Sequence, residues 1–159
     1  MAIGAPLYAT ATIPSGKGTV AWPSGAAAGQ VAVLNLGGTT TSKRVAPDGW
    51  LLAKHTPSTD SYWRVVTAAD LAAAVAVTAY VAHLTCYSGA GRVGAVTDLG
   101  NVSPGVTTTV SGAAAHVWGR GKSTLTPSGS LGADLINAAY NNRRYNCWAV
   151  LGTTPDGMG

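Results

Sequence analysis

Two residue types are missing from this chain of 159 residues, which contains no Phe and no Glu. Its six acidic residues are all Asp and lie scattered, which leaves few candidates for the paired carboxylates that glycoside hydrolysis normally uses. Charged residues make up only 10% of the chain, against roughly 25% in typical soluble domains. The scarcity of carboxylates excludes most glycosidases. The apolar fraction of 47% argues against a disordered chain.

Cysteine and metal-binding patterns are also scarce. Cys86 and Cys147 are the only cysteines and lie far apart, without the close spacing of a zinc site or a redox motif. The spacing allows two buried free thiols or one disulfide bond. The three histidines, His55, His83 and His116, are far apart and do not combine with Cys or Asp into a cluster at metal-ligand spacing. We therefore expect structural histidines, with no metal and no cofactor.

Long charged or hydrophobic runs are absent too. The net charge of +4 comes from ten basic residues that are spread along the chain, which does not indicate a nucleic-acid-binding stripe. The longest apolar stretch, Leu71 to Leu84, is shorter than the roughly 20 residues that a membrane helix needs. The first residues lack the basic and apolar regions of a secretory signal. We expect no nucleic-acid partner, no membrane partner and synthesis in a cytoplasm.

The residues that are present favour an all-β fold. The chain has 21 Gly and 8 Pro with abundant Thr and Val, and turn signals recur every eight to fifteen residues or so. This pattern predicts an antiparallel β-sandwich of the jelly-roll or Greek-key kind. We expect a single domain over residues 1–159, with its core at about residues 7–151 and a short C-terminal tail at 152–159.

Alternating apolar residues bounded by turns predict the individual strands. The ambiguous segment 68–87 mixes Ala and Val, and the period-two placement from Val75 to Tyr87 favours one long strand over a helix. The other predicted strands are Tyr8–Ile13, Gln30–Leu36, Asp60–Thr67, Val106–Val110, Ala113–Trp118 and Asn146–Leu151.

A weak internal repeat links the two halves of the chain. Pro47-Asp48-Gly49-Trp50 leads into the aromatic segment Tyr62–Val66, and Pro127-Ser128-Gly129 leads into Tyr145–Val150. Each copy predicts a turn, a strand, a polar hairpin tip and an aromatic strand. In the second copy, Asn141–Arg144 is the predicted tip.

These segments together resemble the β-sandwich modules common in structural proteins of phages that infect actinobacteria. The resemblance rests on the strand QVAVLNL, the Pro47-x-Gly49-Trp50 turn, the Tyr62–Val65 segment and the closing NCWAV strand, and it covers roughly residues 7–151. The chain departs from the pattern in lacking Phe and in having Ser130 where a second Trp would follow the turn. The resemblance implies a virion component, either a capsid decoration protein or a minor tail protein.

Two short motifs approach catalytic patterns without completing them. Gly119–Thr124 resembles the end of a phosphate-binding P-loop, but His116 stands at the position of its first Gly and no helix follows. This segment is predicted to be a hairpin loop. Ser130 lacks the Gly two positions earlier that a nucleophile elbow requires, so an esterase is only a nominal alternative. We expect no catalytic residues.

The tryptophans divide into two groups. Trp63, Trp118 and Trp148 lie in apolar strand patterns and are predicted to fill the core in place of Phe. Trp22 and Trp50 lie next to turns, where their rings are suited to a subunit interface or to stacking on a sugar. Two basic residues at the predicted hairpin tip, Arg143 and Arg144, are further candidates for contact with an acidic neighbour.

The function expected from the sequence is that of a non-enzymatic virion protein, assembled in the host cytoplasm, that decorates the capsid surface. Its expected partners are the major capsid protein or other virion subunits, including copies of itself. The alternative is a minor tail or tail-fibre module that binds host cell-wall carbohydrate. That alternative predicts an exposed platform of Trp22 and Trp50 with Asp48 or Asp60 beside them.

Overall fold

The fold comes from a computed structural model that describes residues 3–38, 44–94 and 96 with their side chains. It also describes the backbone of three later strands. In chain order the strands are β1 (Leu7–Thr12), β2 (Gly18–Val20), β3 (Val31–Gly37), β4 (Leu51–His55), β5 (Thr59–Val65), β6 (Val75–Val77), β7 (Val81–Tyr87), β8 (Ala114–Gly121), β9 (Asp134–Tyr140) and β10 (Arg143–Leu151).

The described strands form three antiparallel sheets, which confirms the all-β prediction. The largest has the order β1-β7-β3-β5-β4, a second pairs β2 with β6, and a third has the order β8-β10-β9. The chain passes from the five-stranded sheet to the two-stranded sheet and back twice, through β2 and through β6. This two-layer arrangement is consistent with a β-sandwich.

The main core lies between the five-stranded and two-stranded sheets. Leu34, Leu84 and Tyr62 line one face of the larger sheet, and Val20 and Val75 come from the smaller one. We call this face of the five-stranded sheet its core face. Both faces of β3 and β7 are buried along their whole length, as expected for central strands.

The opposite face of the five-stranded sheet carries a row of polar residues. Thr10, His83, Asn35, Ser61 and Lys54 occupy matching positions on the five strands, in their order across the sheet. Asn35 and His83 have no exposed surface, and the Ser61 hydroxyl donates to Asn35 Oδ1 at 2.8 Å. Buried polar atoms need such partners because losing hydration is costly.

The prediction of β structure from Val75 to Tyr87 is confirmed, but the prediction of one long strand is wrong. A short 3-10 helix, Asp70–Ala72, comes first, and the remainder divides into β6 and β7. The division lies at Thr78, which exchanges two backbone hydrogen bonds with Val45 while the chain crosses between sheets. The crossing also reverses the alternation, so that Ala82, Leu84 and Cys86 face the core instead of His83, Thr85 and Tyr87.

The placement of Trp63 in the main core is also wrong. Tyr62 pairs with Leu34 on the core face, whereas Trp63 pairs with Val33 on the opposite face and is half-buried. The alternation of β5 allows only one of two adjacent aromatic residues to face the core. Trp118 and Trp148 lie on β8 and β10, where the structure describes the backbone alone.

The internal repeat corresponds to two antiparallel hairpins, β4–β5 and β9–β10. Arg143 and Arg144 begin β10 and pair with Tyr140 and Ala139, so the predicted tip is shorter than expected. Gly119–Gly121 likewise belongs to β8 and not to a loop. The predicted strand Val106–Val110, Ser130 and the tail 152–159 lie outside the described residues.

Candidate functional site

The structure brings together the two tryptophans that the sequence singles out. Trp22 follows β2 and Trp50 directly precedes β4, and their rings stack with centroids 6.1 Å apart and planes inclined by 19°. Both rings are partly buried against the main core. We call Trp22 and Trp50 the tryptophan pair.

Hydrogen bonds fix the orientation of Trp22. Its indole Nε1 donates to the carbonyl oxygens of Asp70 at 2.8 Å and Ala73 at 3.0 Å, which lie in and just after the 3-10 helix. The ring therefore connects the turn after β2 to the segment before β6. Ring stacking of this kind contributes about 0.5–1.5 kcal/mol beyond the area that the rings bury.

Arg64 joins the tryptophan pair to Asp70. Its Cζ lies 5.9 Å from the centroid of the Trp50 ring, within cation–π range, and its Nη1 is 2.9 Å from Asp70 Oδ1. The backbone N–H and the hydroxyl of Thr67 both donate to Asp70 Oδ2 at 2.7 Å. Desolvation by burial opposes ionisation of Asp70, but the Thr67 hydrogen bonds and the Arg64 charge outweigh it and lower the pKa of this carboxyl.

Of the two carboxylates expected beside the tryptophan pair, Asp48 and Asp60, the structure places Asp60 elsewhere. Asp48 is exposed in the turn before Trp50. Asp60 has no exposed surface and lies at the other end of the β5 core face, about 13 Å along the strand from Arg64. The carboxylate that completes the site is Asp70, which holds the Arg64 guanidinium.

A second cluster of polar side chains surrounds Asp60. Arg44 donates from its backbone N–H at 3.0 Å and from Nε at 2.7 Å to Asp60 Oδ2, and His55 Nδ1 contacts Asp60 Oδ1. Arg44 is itself buried and its Nη2 donates to the Thr56 carbonyl oxygen at 2.8 Å. We call Asp60, Arg44 and His55 the Asp60 cluster.

The sequence analysis missed the Asp60 cluster because its members are separated along the chain. A signal is nevertheless present, since the alternation of β5 puts Asp60, Tyr62 and Arg64 on one face. A charged residue that shares a strand face with a core tyrosine is expected to be buried, and a buried charge needs a partner of opposite charge. The Tyr62 hydroxyl donates to the Arg44 carbonyl oxygen at 2.7 Å and extends the network along the strand.

Exposed apolar side chains gather at the outer strand β4. In the part of the chain that the structure describes, β4 has one strand neighbour, β5. Leu51 is 55% exposed and Leu52 is 47% exposed, and Val65 on the adjacent strand is 43% exposed. We call residues 51–55 the β4 edge. Such an edge presents unpaired backbone groups together with apolar surface.

The remaining candidates lie on other strands. Arg143 and Arg144 begin a strand of the three-stranded sheet, where only the backbone is described. Cys86 is buried and free, and desolvation raises the pKa of its thiol to about 12.

The described residues contain no group of three or more His, Cys or Asp side chains placed to hold a metal ion. The same residues include no helix with the length and apolarity to cross a membrane.

Comparisons with known proteins gave no match to any family model, curated protein or solved structure.

Proposed function

We propose that this chain is a non-catalytic structural subunit of a bacteriophage particle, of the kind that decorates the capsid, and that the β4 edge contacts neighbouring subunits. The observation that carries the proposal is the exposure of Leu51 and Leu52 on an outer strand. Apolar surface of this kind is typical of contacts between proteins. The phage origin is supported by the sequence resemblance alone.

The polar clusters support a structural role over a catalytic one. Asp60 accepts hydrogen bonds from two buried N–H groups of Arg44, and Asp70 is held by Thr67 and Arg64. Asp60 therefore ties β5 to a segment sixteen residues earlier, and Asp70 ties the 3-10 helix to the end of β5. Groups used in this way stabilise the fold and have little capacity left for proton transfer to a substrate.

The experiment that tests this proposal is quantitative mass spectrometry of purified virions. We expect the chain at a high and fixed ratio to the major capsid protein, because a decoration protein occupies repeated lattice positions. A few copies per particle would assign it to the tail instead. Absence from the particles would overturn the proposal.

A second candidate is binding of host cell-wall carbohydrate, as in a minor tail protein. It is favoured by the contact between Trp22 and Trp50, since adjacent indole rings are suited to sugars. The experiment is co-sedimentation with purified host cell walls. We expect Trp50→Ala to lose binding, while Tyr8→Ala, which removes a 50% exposed ring from β1, retains it. Failure of the unaltered chain to sediment would reject this candidate.

A further inference from the structure

We propose that the β4 edge binds the β4 edge of a second copy of this chain, through antiparallel pairing with Leu52 on the two-fold axis. This inference rests on the proposed function and names the partner of the surface described there. Two five-stranded sheets would then join into one continuous sheet across the axis. Pairing between identical edges is isologous and closes after two copies.

An irregularity in β4 determines which side chains share a face. The pairing with β5 shifts between Leu52 and Lys54. Leu51 and Lys54 pair with Trp63 and Ser61 and therefore lie on the face opposite the core, whereas Leu52 shares the core face with Tyr62. Residues directly opposite in a continuous sheet project from the same face, which limits the possible registers.

The charge pattern distinguishes the two registers that overlap most of the strand. One places Lys54 opposite its own copy, which brings two like charges together and is unfavourable. The other places Leu52 opposite itself and Leu51 opposite the Lys54 of the second copy. In that register leucines meet at the axis, and the aliphatic stem of each lysine covers a leucine.

The same features limit how strongly and how far the edge associates. Bulges and lysines on outer strands oppose edge-to-edge pairing, so they weaken the association and disfavour extended assembly into a fibre. The edge is five residues long and buries less area than a standard stable interface. We therefore expect a weak, concentration-dependent dimer in solution.

The first measurement is sedimentation of the purified chain from about 1 µM to about 1 mM, followed by the same series on Leu52→Lys. We expect the unaltered chain to dimerise and Leu52→Lys to weaken association roughly tenfold or more, because it places two charges on the axis. The matched control is Tyr8→Lys, which alters an equally exposed residue on the opposite outer strand and should leave dimerisation unchanged.

A cross-linking experiment tests the register separately. Cysteine at position 52 should form an intermolecular disulfide faster than cysteine at position 54. In the proposed register the Cα atoms of the two copies of residue 54 lie farther apart than the roughly 7 Å limit for a disulfide bond. The unaltered chain under the same oxidant gives the background from its own two cysteines. Faster cross-linking through position 54 would overturn the Leu52 register.

A chain that stays monomeric throughout the series, or a dimer insensitive to Leu52→Lys, would overturn the pairing itself. Neither result would bear on the copy number in virions, which tests the proposed function independently.

Discussion

At the scale of single residues, Asp60 is the one fully buried carboxylate among the described residues. It has no exposed surface, and the Arg44 backbone N–H, the Arg44 guanidinium and the His55 ring all face its two oxygens. Removing one partner from a buried ion pair leaves the other charge without compensation, which costs more than the pair contributes when intact.

We therefore predict that Asp60→Asn lowers the free energy of unfolding by about 3–5 kcal/mol. The substitution keeps the size of the side chain but leaves the buried Arg44 guanidinium without a countercharge. Urea denaturation measures the change in midpoint. Asp48→Asn, at an exposed turn, should stay within about 0.5 kcal/mol of the unaltered chain, and equal losses from both variants would contradict the prediction.

The lowered pKa of Asp70 gives a second prediction, for pH dependence. Because the folded state favours the ionised carboxylate, its contribution to stability is present above the ordinary pKa of 3.8 and is lost as the pH falls through the lower folded value. Asp70→Asn should therefore destabilise the protein at neutral pH, and the difference from the unaltered chain should shrink as the pH falls.

Urea midpoints from about pH 5 to about pH 2 measure that difference. Asp48→Asn again serves as the control variant, because its carboxylate lies exposed outside this network. A difference for Asp70→Asn that stays constant across this range would show that the carboxylate charge does not contribute.

At the scale of elements, the 3-10 helix Asp70–Ala72 has no buried residue of its own. Its position depends on Trp22, which reaches it from the segment after β2, and on Arg64, which reaches it from β5. The short helix is thus linked to segments in or next to both sheets of the sandwich by side-chain hydrogen bonds and an ion pair, and not by pairing of backbone strands.

We predict that Trp22→Phe lowers the free energy of unfolding by about 1 kcal/mol. Phenylalanine retains an aromatic ring for the stack but removes the N–H that donates to Asp70 and Ala73. Trp50→Phe is the matched control, since it changes the other ring of the same stack and should cost less. Urea denaturation of both variants gives the comparison, and a larger loss for Trp50→Phe would contradict it.

The sequence was sufficient to predict strands with clear alternation and turns at both ends. Tyr8–Ile13, Gln30–Leu36 and Asp60–Thr67 correspond to β1, β3 and β5 within one or two residues at each end. The strand β2 was missed because its three residues, Gly18–Val20, are too few to show a period. The break at Thr78 was missed because a tertiary contact with Val45 creates it.

The candidate site was predicted in part for similar reasons. Trp22 and Trp50 stand out as large rings beside turns, and the structure brings them into contact. The pairing of Asp60 with Arg44 depends on the path of the chain between β3 and β4, which no local pattern specifies.

At the scale of the whole molecule, Cys86 lies near the end of β7 on the core face of the five-stranded sheet, so its accessibility shows whether the core is intact. The residue has no exposed surface, and burial raises its thiol pKa to about 12. We predict that Cys86 reacts with a thiol reagent only after unfolding. Native protein should give equal thiol counts for the unaltered chain and Cys86→Ala, whereas denaturant should reveal one additional thiol in the unaltered chain. A difference in the native state would contradict this prediction.

The strand order also determines when the sheet is completed during synthesis. β3, β4 and β5 all fall between residues 31 and 65, and β5 pairs with both of the others, but β1 pairs with β7, which lies some seventy residues further along the chain. At translation rates of about 5–20 residues per second, β1 waits roughly 4 to 14 s for its partner. β1 therefore lacks its sheet partner throughout that interval, which leaves it open to chaperones and to mispairing on the ribosome.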